Sequence, residues 1–149
     1  MEKIRFDTLD ASSPALLEAS VTLIVNAFGN PERYSAERVM RELRSDDTPF
    51  YRQFFVASEA GRIVAVGGVK AADWASHTHI LYLSAVAPES RGKGIGRSLI
   101  KARIEWLEKN FNHGRILVSA TKTRRFRDLG FVEIRNSNVE GRHLLLRRF

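Results

Sequence analysis

The apolar run Leu83-Ser84-Ala85-Val86 leads through Ala87-Pro88-Glu89-Ser90 into Arg91-Gly92-Lys93-Gly94-Ile95-Gly96-Arg97, and the periodic apolar stretch from Leu99 follows at once. No other segment narrows the fold as much, because a strand, a glycine-rich basic turn and a helix succeed one another with no residue to spare. Glycines carry no Cβ, the first N–H groups of a helix have no partner in the helix, and the helix dipole adds positive potential there. A turn of this kind accepts a phosphate directly against main chain.

Spacing separates the known phosphate loops. A Walker A loop needs Lys followed by Ser or Thr, but Gly94 follows Lys93. A dinucleotide fingerprint needs a third glycine where Ile95 or Arg97 stands, and it belongs to an early strand of a longer βαβ series. The pattern that fits is Arg-x-x-Gly-x-Gly, filled by Arg91, Gly94 and Gly96. With Val86-Ala-Pro-Glu before it and an apolar helix after it, this segment resembles the coenzyme A loop of the GNAT superfamily of N-acetyltransferases.

The chain has 149 residues, which fits one domain over 1–149 that buries roughly two-thirds of its unfolded surface. It contains no run of 18 apolar residues, no cysteine, and an N-terminus, Met-Glu-Lys-Ile-Arg-Phe, unlike an export signal. A cytoplasmic protein without membrane contact, disulfide or thiol nucleophile is expected. The net charge of +7 concentrates at Arg91, Lys93 and Arg97 and at Lys122, Arg124, Arg125 and Arg127. No interleaved aromatic array, zinc spacing or basic zipper accompanies either cluster, so an anionic cofactor accounts for the charge better than nucleic acid does. No metal is expected, since His77, His79, His113 and His143 show no ligand motif.

Along the chain, strands are expected at Ile4–Leu9, 53–58, 62–70, Thr78–Val86, Arg115–Ala120, Phe131–Ile134 and Arg142–Arg148. Ser13-Pro14 opens a helix whose stripe is Leu17, Val21, Ile24 and Phe28, and a second helix runs from Ser35 to about Arg44. A third runs from Arg97 to about Phe111 with Ile100, Ile104, Leu107 and Phe111 on its apolar face, and a short one precedes Leu129-Gly130-Phe131. Gly67-Gly68 points to a bulge or to the close approach of a ligand. The order resembles the GNAT fold over nearly the whole chain. That resemblance implies an α/β architecture, a mixed central sheet of about six to seven strands flanked by about four helices.

The resemblance assigns residues as well. Acetyl-coenzyme A would be the co-substrate. Its pyrophosphate would lie on the N–H groups of Arg91, Gly92, Lys93, Gly94, Ile95 and Gly96, with Arg97 just inside the helix. Its pantetheine arm would follow Ala85 and Val86, where a backbone N–H polarises the thioester carbonyl. Many members carry a tyrosine before Leu-Gly-Phe that protonates the departing thiolate, and the residue here is Phe126; an asparagine often found seven residues earlier is Ser119. The missing acid is a handicap of roughly 2 kcal/mol, because a thiol of pKa ~8.5 lies only about 1.5 units above neutral pH. Ser119, Tyr82 or water are candidates for that proton.

The acceptor side demands more, since an alkylamine of pKa ~10.4 is only about 0.04% neutral at pH 7. Strict alternation along His77–Val86 puts Ile80, Tyr82 and Ser84 on one face and His79, Leu81 and Leu83 on the other. His77 and His79 are candidate bases; Tyr82, which faces the loop side if a bulge falls near Ala85-Val86, is a candidate for relay or substrate binding, and Asp73 and Glu59 are further candidates. Glu32 and Tyr34, in the segment Phe28–Ser35, and Glu140, in the loop Asn136–Gly141, are candidates for recognising a cationic acceptor, whether a small amine or an amine of a peptide or protein. The expected activity is direct attack of a primary amine on the bound thioester, without a covalent enzyme intermediate. The rivals are a non-catalytic acyl-coenzyme A sensor and a basic nucleic-acid module. A homodimer fits the family, and nothing in the sequence establishes one. Gly94→Asp is expected to abolish coenzyme A binding in a folded protein, and unchanged affinity by calorimetry would contradict the loop assignment.

Overall fold

The structure is a computed structural model that describes residues 3–149. Met1 and Glu2, in the segment read above as no export signal, lie outside the described residues. The elements in order are β1 (Ile4–Thr8), α1 (Pro14–Phe28), α2 (Ala36–Arg44), β2 (Arg52–Glu59), β3 (Arg62–Ala71), β4 (Thr78–Val86), α3 (Ile95–Asn110), β5 (Arg115–Ala120), α4 (Arg124–Arg127), β6 (Val132–Glu133) and β7 (His143–Arg148). The strands form one 7-stranded sheet in the order β1-β2-β3-β4-β5-β7-β6, the mixed architecture expected. Among the described residues only β4 and β5 run parallel, joined through α3, and every other neighbouring pair is antiparallel.

Local chemistry sets the helix boundaries. The Ser13 hydroxyl accepts from the Leu16 N–H at 3.3 Å, with Pro14 at the first helical position, and the Ser35 hydroxyl accepts from Arg38 in the same way. Each such cap is worth about 1 kcal/mol. α3 begins two residues earlier than expected, at Ile95, because Gly94 in the left-handed region (φ 77°) is itself the cap and Gly96 lies inside the first turn.

The sheet separates two apolar clusters. Leu17, Val21 and Ile24 of α1 and Val39 and Leu43 of α2 pack on one face against Phe54, Val56, Val66, Leu83 and Ala85. Leu99, Ile100, Ile104 and Leu107 of α3 pack on the other against Phe55, Ala57, Val69, Leu81, Ile116 and Val118.

The strict alternation expected along β4 does not hold. Opposite β3, Tyr82 pairs with Gly68 and Ala85 with Val66, so two residues of β4 face one of β3. This is a β-bulge, and Leu83 carries it with φ of 50°. Leu83 thereby joins Ala85 on the α1 face while Leu81 stays on the α3 face, and Tyr82 and Ser84, expected together, point to opposite faces. A leucine in the left-handed region costs about 1–2 kcal/mol. The trace of this bulge in the sequence is Gly67-Gly68, and side chains of the protein take up the space beside those glycines: a Cβ on Gly67 would meet the Arg103 guanidinium carbon at 2.9 Å, and one on Gly68 the Phe54 ring.

His79 is 4% exposed in an aromatic cluster with Tyr51, Phe111 and Phe149. Its Nδ1 shares a hydrogen bond with the Tyr51 hydroxyl, and its Nε2 has no partner. Burial, with a smaller push from His77, holds its pKa below the ordinary value. The unfolded chain therefore takes up a proton near pH 6.5 that the folded chain resists, and stability falls as pH drops through that region. In urea titrations between about pH 7.5 and about pH 5, His79→Leu should show a shallower loss of stability than the wild type, and equal slopes would contradict the burial of a neutral imidazole.

Candidate functional site: a cleft through the sheet

β4 pairs with β5 only from Thr78 to Leu81, against Arg115 to Val118. Beyond that point β5 continues alongside β7, and among the described residues no strand pairs with Tyr82 to Val86 on the β5 side. The two strands part, and a cleft of about 790 Å³ passes between them. On the α1 face its wall includes Ala27, Phe28 and Val66; on the α3 face it includes Leu99, Ile100 and Arg103. The free edge of β4 between them supplies Ser84, Ala85 and Val86, and Phe126 of α4 closes the far side. A bare strand edge of this kind offers its N–H and C=O groups to an extended ligand.

The glycine loop forms the mouth. After a 3₁₀ turn at Pro88–Ser90, Gly92 (φ 83°) and Gly94 (φ 77°) take left-handed conformations that turn the chain into α3. Among the described residues, no acceptor takes the N–H groups from Gly92 to Arg97; the first N–H bonded within α3 belongs to Ser98, which donates to Gly94 at 3.1 Å. A Cβ on Gly92 or Gly94 would meet nothing within 4 Å, so the space in front of the loop is open to a ligand.

The two basic clusters converge here. Arg91 and Arg97 from the loop and Lys122 and Arg125 from the α4 region line the cleft, with Arg103 deeper inside, and among the described residues no Asp or Glu lines it. A Cβ on Gly96 would overlap the Arg125 guanidinium, which therefore lies directly over the loop. Arg91 Nε donates to the Val86 carbonyl at 3.3 Å. Arg97 pairs with Asp128 at 2.8 Å and Lys93 with Glu59 at 3.3 Å, both at the surface. Exposed pairs of this kind contribute about 0–1 kcal/mol, so both cations remain available to a phosphate. The basic residues of the two clusters thus line a concavity rather than a flat stripe.

The candidates chosen for acid, base or substrate roles are not brought together. Tyr82 lies on the α2 face, where its hydroxyl donates to Glu42 at 2.7 Å, and burial and that carboxylate push its pKa up. Arg52 at 3.0 Å and Lys70 at 3.9 Å share the same carboxylate. Ser119 points away from α3 and accepts from Arg142 Nε at 3.0 Å. His79 is enclosed in its aromatic cluster, and His77 stacks on His113 with ring centroids 4.5 Å apart. Glu32 is exposed, and Tyr34 packs edge-on against Phe28, through which it touches the cleft wall. Asp73 lines a separate small hollow, Glu59 pairs with Lys93, and Glu140 is exposed outside the cleft lining. Among the described residues, no group of three or more His, Asp or Glu is placed to hold a metal ion.

Two site residues escaped the reading of the sequence. Arg103 falls on the apolar stripe of α3 and is 1% exposed. Ser84 stands open in the cleft and accepts from Arg103 Nη1 at 2.9 Å. The available signal for Arg103 was its spacing, four residues beyond Leu99 and four before Leu107, opposite a pair of glycines.

The sequence matches the acetyltransferase (GNAT) family over residues 20–133. No curated protein sequence matches. Among solved structures, Escherichia coli ElaA superposes with a TM-score of 0.78 at 16% identity, over 97% of this chain and 99% of that one. An acyl-CoA N-acyltransferase from Pseudomonas aeruginosa gives 0.78 at 15%, with the same coverage. The PaiA N-acetyltransferase from Thermoplasma acidophilum, solved with coenzyme A, gives 0.74 at 13% over 99% of each chain. At these identities the likeness is one of fold.

Replacing Arg125 by Ala removes a cation from above the loop. Calorimetry should show coenzyme A binding weakened about tenfold, with a shallower dependence on salt, as expected for one lost phosphate contact. Unchanged affinity would place Arg125 outside the anion site.

Proposed function

The chain belongs to the acetyltransferase (GNAT) family, and from that premise we propose that it transfers an acetyl group from acetyl-coenzyme A to a primary amine. The observation that carries this reading is the through-sheet cleft, which joins unpaired loop N–H groups to a free strand edge and, among the described residues, is lined by five cations and no carboxylate. Those features fit a long ligand with phosphates at one end and an extended arm at the other.

Acetyl-coenzyme A supplies an activated thioester. The N–H groups from Gly92 to Arg97 bind its pyrophosphate, and Arg91, Lys122 and Arg125 add charge. The free edge of Ala85 and Val86 holds the arm extended and aims main-chain N–H groups at the carbonyl that becomes negative during transfer. The acceptor amine enters from the α1 face, past Phe28 and the segment that carries Glu32 and Tyr34. Tyr82, Ser119 and His79, all held by other partners, take no part in this account.

One observation favours a second reading. Phe126 lines the cleft and carries no proton, as a non-catalytic acyl-coenzyme A sensor would allow. Release of free thiol from acetyl-coenzyme A, followed against a panel of diamines, amino sugars and short peptides, distinguishes the two. Transfer predicts amine-dependent release whose rate rises with pH as the neutral fraction of the amine grows, close to tenfold per unit well below the amine pKa when no enzymic base intervenes. Tight binding with no release from any amine would favour the sensor.

A further inference from the structure

Among the described residues Arg103 is the largest side chain buried to below 2% exposure, and no carboxylate pairs with it. A buried cation without a counter-ion is costly unless dipoles satisfy it. Its Nε donates to the Leu99 carbonyl at 3.1 Å, and its Nη1 donates to the Gly68 carbonyl at 3.0 Å and to Ser84 Oγ at 2.9 Å. Burial pulls its pKa down to about 9, which leaves it charged at neutral pH. The guanidinium is almost wholly buried at the cleft wall, whereas Ser84 beside it is exposed within the cleft. The charge therefore acts through the serine.

A hydroxyl has one proton to donate and two lone pairs. Arg103 is only ever a donor, so it takes one lone pair of Ser84 Oγ and leaves one O–H and one lone pair facing the cleft. A proton relay needs that combination. Serine alone is far too weak an acid to protonate a thiolate whose conjugate acid has a pKa of ~8.5, but a relay leaves no alkoxide behind.

We propose that Ser84 relays the proton of the transfer step, with Arg103 as the positioning residue that fixes its hydroxyl; this rests on the acetyl-transfer reading above. The lone pair of the acceptor nitrogen becomes the new C–N bond, and the pair of the breaking C–S bond leaves on sulfur. Ser84 Oγ takes the proton that the nitrogen sheds and passes its own to the sulfur, so amide and free thiol form and the hydroxyl is regenerated. The Arg103 charge stabilises the negative charge that crosses Oγ and sulfur. Ser84 thus fills the role left vacant by Phe126.

The test measures turnover and binding on the same variants. Ser84→Ala should lower kcat by about 10- to 100-fold while calorimetric Kd and KM for acetyl-coenzyme A stay close to wild type. Ser84→Thr, which keeps the hydroxyl, should restore most of the loss. Arg103→Lys should retain part of kcat and Arg103→Met should not, and NMR of the ligand-free Ser84→Ala protein should show the Arg103 guanidinium resonances displaced. If the Arg103 variants fail to fold, the two Ser84 variants decide the matter, since Ser84 is exposed and Arg103 Nη1 keeps the Gly68 carbonyl when the hydroxyl is lost. Wild-type kcat in Ser84→Ala would overturn the relay alone. A rise in Kd and KM at unchanged kcat would make Ser84 a binding residue and overturn it equally. No thiol release by the wild type itself would overturn the acetyl-transfer reading, and the relay with it.

Discussion

One extra residue in β4 governs the site. The bulge at Leu83 turns the end of the strand away from β5, and the cleft exists because the two strands then diverge. The cost of a leucine in the left-handed region is borne where Leu83 and Ala85 are buried beneath α1 and α2. Without that offset the four-residue parallel pairing would run on toward the loop and the sheet would close. The bulge also re-aims side chains: Tyr82 goes to the carboxylate of Glu42 on one face and Ser84 to Arg103 on the other.

Electrostatics follows the same geometry. Loop and α4 approach from different parts of the chain, and their cations meet around one opening rather than spreading over the surface. The Arg97–Asp128 and Lys93–Glu59 pairs hold the rim in place at little energetic advantage, so an anion of higher charge displaces them readily. Arg103 differs from these in being sealed from solvent, where a charge is screened least and influences its neighbours most.

Much of this was legible in the residues. The bounds of β4 and β5 follow from apolar runs between turn signals, the caps of α1 and α2 from Ser13 and Ser35, and the tight turn into α3 from glycine spacing. A bulge near Ala85-Val86 or at Gly67-Gly68 is legible, but its place at Leu83 is not, because alternation assumes one residue per step. Tyr82, His79 and Ser119 drew attention through their chemistry, yet each has a partner that only the folded chain brings near: Glu42, Tyr51 and Arg142. Arg103 was overlooked for the opposite reason, since a charged residue on a helix ordinarily reads as solvated.

The most direct test of the account is amide chemical-shift mapping as coenzyme A is titrated into the protein. Binding through the cleft predicts that the largest shifts fall on the free edge of β4, from Tyr82 to Val86, and on the loop from Gly92 to Arg97, with β1 and β6 unmoved. Shifts confined to the outer basic residues, or none in the free edge of β4, would contradict it.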